Sequence, residues 1–177
     1  MAARGGREEI WREQAVAVAD PEQPGVALPR ALLHEVFQHA IECYPEEACG
    51  LLLGPAAAEP QTIERCTNVQ RRRKLSGDSE LDARHGYWID ETELLRAIQR
   101  AEREGTEIRV IYHSHIDTGA FFSRADLEGA IGPHGEPNYP GAIQLVLSVH
   151  EDGVRDAAAF VWTDGRFVGR VLQETGR

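Results

Sequence analysis

Residues 112–126, YHSHIDTGAFFSRAD, constrain this chain more tightly than any other stretch. They continue the branched and aromatic run IRVIYHSH, which reads as a strand. Side chains on a strand repeat with a period of two, so His113 and His115 share a face, with Cα atoms roughly 6.6 Å apart. Ser123 and Asp126 have the spacing of a first helical turn, which lets Asp126 point back toward the end of that strand. The chain must therefore bring two imidazoles from a strand and one carboxylate from a helix start to a single place. Far upstream, Glu47 precedes the small apolar segment of PEEACGLLLG, which reads as a buried strand.

These residue types together suit one chemistry. Two imidazoles and a carboxylate match zinc better than calcium or magnesium, which take all-oxygen shells. Three protein ligands leave a coordination position for water, and a nearby glutamate can move a proton. Singly, each part has a plainer reading. Ser123-Arg124-Ala125-Asp126 alone is a capped helix start favoured by the dipole, and a lone His-x-His pair carries little. The joint string, in one order and spacing, carries the inference. A capped helix start is also a rigid mount for a ligand, so the two readings coexist.

Glu47 followed by ACGLLLG, then His113-Ser114-His115, then Ser123 and Asp126, resembles the signature of the JAMM (MPN-plus) zinc metallopeptidases. The resemblance runs from about Gly25 to the C-terminus and is closest to the prokaryotic branch that acts on ubiquitin-like sulfur-carrier proteins. It implies His113, His115 and Asp126 as zinc ligands, Glu47 as general base, and Ser123 as a hydrogen-bond donor on the oxyanion side. Glu46 is adjacent to Glu47, but on a strand the two face opposite sides. The Glu-x-x-Gly register selects Glu47.

The length of 177 residues fits one domain with a proper core. A formal charge of −10 argues against a general nucleic-acid surface. No apolar run approaches the roughly 20 residues that span a bilayer, and MAARGGREEIW is too charged for a signal peptide. Cys43, Cys49 and Cys66 form no Cys-x-x-Cys pair, so free thiols in a reducing cytoplasm are expected. Cys49, two residues from Glu47, reads as apolar filler rather than a ligand.

Residues 1–24 read as an extension, with a helix from Glu8 to Ala19 or a strand in its Ala-Val-Ala-Val end, and residues 25–177 as the domain. Val26–Leu28 suggests a short strand, and Pro29 opens a helix to about Tyr44, where Pro45 ends it. Leu51–Leu53 and Thr62–Val69 read as strands. Arg71 to Gly86 reads as a polar loop whose basic start, Arg71-Arg72-Arg73-Lys74, is either solvated or a weak candidate for docking an acidic carrier. Asp90 with Glu93 predicts a capped helix from Glu91 to Glu104, stopped by Gly105. Ala142–Val149, Val154–Trp162 and Phe167–Leu172 read as closing strands. Of the other histidines, His85 and His134 are loop residues that could line a groove.

The expected fold is a single α/β domain. Its mixed, curved β-sheet is flanked by two main helices and a shorter third, in the deaminase-like architecture that the resemblance implies. The expected activity is hydrolysis of a peptide or isopeptide bond after the Gly-Gly end of a ubiquitin-like carrier, with no nucleic-acid or membrane partner. Two rivals stand beside it. A nucleoside-deaminase-like zinc enzyme would need Pro-Cys-x-x-Cys beside a His-x-Glu, and no Pro-Cys-x-x-Cys is present to accompany His134-Gly135-Glu136. A non-catalytic binding module for ubiquitin-like partners would have no need of all five signature residues.

Overall fold

The computed structural model describes residues 15–16 and 22–176. The helix or strand expected within 8–19 therefore falls outside the described residues, apart from Ala15 and Val16. The wholly buried strand Cys49–Gly54 (β2) occupies an interior position, paired antiparallel with Thr62–Cys66 (β3) on one side and Glu107–Ile116 (β4) on the other. Beyond β4 come Ile143–His150 (β5), Gly153–Thr163 (β6) and Arg166–Arg170 (β7), giving a six-stranded sheet of order β3-β2-β4-β5-β6-β7. Only β4 and β5 run parallel within it. A parallel pair needs a crossover, and the segment between these strands carries the short helix Arg124–Ala130 (α4). The helix that the site requires thus sits in the connection leaving the histidine strand.

Period two sorts the core into two faces. Ala48, Leu52, Tyr112, Leu145 and Leu147 point to the helix Arg30–Cys43 (α1), meeting Leu32, Leu33, Val36 and Ala40. Cys49, Leu51, Leu53 and Ile111 point the other way, onto Ala97 and Ala101 of the helix Glu91–Glu104 (α3). Beside them Phe122 stacks on Phe160, with centroids 5.2 Å apart, in a cluster that takes in Leu127 and Ala130 of α4. His113 and His115 alternate with Tyr112 and follow Ile111, so they belong to the face of α3 and α4.

Most element expectations match, and the departures have local causes. Arg71–Lys74 is not loop: Gln70–Ser76 forms a short helix (α2). Asn68 Oδ1 accepts from the Gln70 N–H, good helix formers follow, and Gly77 closes the turn in the left-handed region at φ 82°. Among the described residues there are accordingly two long and two short helices rather than three. The strand expected over Thr62–Val69 stops at Cys66, because Asn68 and Val69 turn to bond with Ile89 and Trp88. The strand expected over Phe167–Leu172 breaks after Arg170. Leu172–Thr175 (β8) leaves the sheet to pair in parallel with Val26–Pro29 (β1).

Asp90 caps α3 as its sequence promised, its Oδ1 accepting from Thr92 N at 3.0 Å and Glu93 N at 3.1 Å. Glu93 does not return to the cap. It accepts instead from Thr67 N and Oγ1, at 2.6 and 2.9 Å, tying the end of β3 to α3. Asp90→Ala should cost about 1 kcal/mol, read as a shift of the urea midpoint at unchanged slope. Among the described residues no helix is long and apolar enough to cross a membrane.

Candidate metal centre

His113 and His115 leave the buried end of β4 with their Nε2 atoms 3.2 Å apart. Asp126 is the third residue of α4, and its carboxylate meets both rings. Oδ1 lies 3.2 Å from His113 Nε2, and Oδ2 lies 3.2 Å from His115 Nε2. Hydrogen bonding explains this triangle poorly, since two neutral imidazoles that face Nε2 to Nε2 can share only one proton. A metal ion explains it well. Donors about 2.0–2.1 Å from a tetrahedral zinc are about 3.3 Å from one another, close to the separations here. The residues present therefore fit a small divalent cation.

The protonation states fit too. Burial pushes His113 down, favouring the neutral ring. Burial by itself would raise the Asp126 carboxyl, but the imidazoles, His113 foremost, hold it well below the usual carboxylate range. His115 Nδ1 points at the Gly119 carbonyl oxygen, 3.1 Å away. Donation there puts the lone pair of the neutral ring on Nε2, toward the shared point.

Ser123 and Asp126 form a capping box. The Ser123 N–H and Oγ–H both donate to Asp126 Oδ2, at 2.9 and 2.6 Å, and Ser123 Oγ accepts from Asp126 N at 3.1 Å. The single proton of the Ser123 hydroxyl is thus directed at Asp126, and donation to an oxyanion requires the hydroxyl to turn.

Glu47 lies two residues before the start of β2. Cys49 pairs with His113, and the Ala48 N–H donates to Ser114 Oγ while the Ser114 N–H donates to Ala48 O. Continuing that register brings Glu47 level with His115 on the same face. It is 4% exposed, and its Oε2 is buried without a hydrogen-bond partner. Burial first, then the Asp126 and Asp82 carboxylates, push its carboxyl well above the usual range. Glu46 instead pairs with Arg71 at the surface. Cys49 takes no part in the donor group: it packs in the apolar cluster, and burial pushes its thiol up, as it pushes Cys66 to about 12.

A groove of about 600 Å³ runs from Asp126 between α4 and residues 86–91, with Tyr87, Trp88, Leu94 and Tyr139 among its walls. The basic candidates sit at its α2 side, each already engaged. Arg71 pairs with Glu46, Arg72 lies 3.7 Å from Asp90 and Glu91, and the Arg73 guanidinium stacks 3.8 Å over Trp88. His85 pairs with Asp82 at 2.8 Å, and neither it nor His134 lines the groove. Two contributors gave no sequence signal. Tyr87 stacks on His113, and Asn68 holds the Glu47 carbonyl at 2.9 Å. Both act through contacts distant along the chain.

The family of prokaryotic homologues of the JAB domain matches residues 29–160. The chain belongs to this family. It is 34% identical over 104 residues to a CysO-cysteine peptidase of Mycobacterium tuberculosis, covering 58% of this chain and 63% of that one. It is also 34% identical over 103 residues to a probable TtuB-protein conjugate cleaving protease of Thermus thermophilus, covering 58% and 62%. These matches span less than two thirds of the relatives' own length. Solution structures of proteins from Desulfitobacterium hafniense (19% identity, TM-score 0.64, 85% of this chain and 93% of that one) and Salinibacter ruber (24%, 0.57, 85% and 92%) share the fold. The single α/β domain with its helix-flanked mixed sheet thus has the MPN architecture.

Proposed function

We propose that this JAB-family chain is a zinc-dependent peptidase that cleaves after the C-terminal Gly-Gly of a ubiquitin-like sulfur-carrier protein, releasing cysteine, a peptide or a conjugated amine. Residues 25–177 form the catalytic domain and 1–24 an extension. The observation that carries the reading is the mutual 3.2 Å spacing of His113 Nε2, His115 Nε2 and the Asp126 carboxylate beside the unpartnered Glu47 Oε2. The two relatives named as peptidases of carrier conjugates support the substrate class.

His113, His115 and Asp126 hold the ion. Zinc, when bound, polarises a carbonyl and makes water acidic near neutral pH. Glu47 takes the proton of the attacking water on Oε2 and later gives it to the departing amine. Ser123 keeps Asp126 in place and, on turning, donates to the oxyanion. The substrate tail lies in the groove beside Asp126, where glycines let its backbone approach closely.

A carrier fused to a short peptide through Gly-Gly or Ala-Ala tests this by mass spectrometry. Cleavage directly after Gly-Gly, with Ala-Ala at least tenfold slower, is expected; equal rates would remove the Gly-Gly requirement. Arg71 and Arg72 extend the contact to an acidic carrier surface, because their surface ion pairs exchange partners at a cost of about 0–1 kcal/mol. Reversing both, together with Arg73, should raise KM at least threefold at low salt and much less at high salt. An unchanged KM at low salt would return α2 to a solvated role.

A further inference from the structure

The two histidines of the centre are held in different ways. His115 has the support usual for a ligating imidazole, a hydrogen bond from its second nitrogen, here Nδ1 to the Gly119 carbonyl at 3.1 Å. His113 has none. Its Nδ1 is buried without a partner, although the residue is 0% exposed. What meets the ring instead is Tyr87, nearly parallel at an interplanar angle of 20° with centroids 4.5 Å apart. We infer that Tyr87 is the positioning residue of His113, its ring fixing the imidazole plane in place of the missing hydrogen bond; this rests on the metal-centre reading above.

Tyr87 is itself placed from both sides. The preceding carbonyl, of Gly86, accepts from Asn68 Nδ2 at 3.2 Å, and the following N–H, of Trp88, donates to Asn68 Oδ1 at 3.1 Å. Val69 N also donates to the Trp88 carbonyl at 2.8 Å. Asn68 Nδ2 further donates to the Glu47 carbonyl at 2.9 Å. One amide therefore sets the backbone of the glutamate and the backbone around the ring that orients His113. Stacking on a neighbouring aromatic favours an offset parallel ring, so it resists rotation about the imidazole side-chain bonds. Tyr87 also lines the groove, so a chain lying there touches the same ring.

The role belongs to the flat ring, which makes it separable from a loss of packing. Zinc affinity would be measured by competition with a chelator of known affinity, and the cobalt-substituted protein by its visible absorption. Tyr87→Phe should bind zinc within threefold of the parent, with an unchanged cobalt spectrum. Tyr87→Leu and Tyr87→Met fill space without a ring and should bind about tenfold more weakly, with an altered spectrum, the low end of the range found when ligand supports are removed. Tyr139→Leu removes another groove aromatic that does not stack on His113, and should leave affinity within threefold. Should Tyr87→Leu prove too unstable to purify, Tyr87→Met gives the same reading. Parent-like affinity in the folded ringless variants, or an equal loss in Tyr139→Leu, would overturn the assignment. A parent that binds no zinc would instead overturn the metal-centre reading and the inference with it.

Discussion

His113→Ala should emerge from purification with almost no zinc, where the parent carries about one ion per chain. The residue supplies one of three donors and its neighbours offer no replacement. Ser114 and Ser123 are buried beside it but are engaged with the Ala48 N–H and Asp126, and burial pushes the carboxyl of nearby Glu47 toward the protonated form. A site of two donors binds zinc far more weakly than one of three, so dialysis against a mild chelator should empty the variant and spare the parent. Thermal unfolding gives a second reading. A ligand that binds only the folded state adds about 2.7 kcal/mol at a hundred times its dissociation constant, so zinc should raise the parent's Tm and leave that of His113→Ala unmoved. His150→Ala is the control. That histidine ends β5, lies 3.5 Å from Asp117 and is not one of the three clustered donors, so its zinc content should match the parent's. Equal zinc in His113→Ala and the parent would refute the ligand set.

The parts of this centre that could be read from sequence are the parts made by local periodicity. His113 and His115 share a face because strands alternate, and Ser123 with Asp126 converge because a capping box spans one turn. Asp90 was legible for the same reason. The α2 segment was not, because its only large apolar residue, Leu75, is 84% exposed and the helix has no buried stripe to betray it. Its start depends on Asn68 and its stop on Gly77, signals too small to outweigh a run of charge. The departure of β8 was hidden for a different reason. Val171 and Leu172 follow β7 with no turn residue between, and only pairing with the distant β1 decides which sheet Leu172 joins. Tyr87 and Asn68 carry no pattern at all, since their roles exist only after β4, β2 and the 81–90 segment have come together.

The two buried carboxylates of the site are pushed in opposite directions. The imidazoles hold Asp126 ionised, while burial and the charge of Asp126 itself drive Glu47 toward its protonated form. Such a divergence is how one site keeps a fixed anion and a proton carrier side by side.

Glu47→Gln should therefore abolish hydrolysis while retaining the zinc. The amide keeps the shape of the side chain and cannot accept the proton, and removing a sole general base costs up to about 10⁴-fold in kcat. Glu46→Gln should change kcat by less than threefold, because Glu46 faces Arg71 at the surface. The metal-free proteins should show a second difference with a definite sign. The folded carboxyl of Glu47 lies above its ordinary value of 4.5, so the native state binds this proton more tightly than the unfolded chain. Its contribution to stability is complete below about pH 4.5 and is lost as pH rises through the folded value. Glutamine has no such loss. Glu47→Gln should consequently melt higher than the parent near neutral pH, by about 2–4 °C per kcal/mol recovered, and the gap should close on acidification to pH 4.5. Asp126 has the reverse dependence, with stability lost as pH falls, but it is common to both proteins and cancels in the comparison. A Glu47→Gln protein that hydrolyses substrate within tenfold of the parent would remove Glu47 from the mechanism. One that melts below the parent at neutral pH, metal-free, would mean that its carboxylate finds a partner in the fold after all.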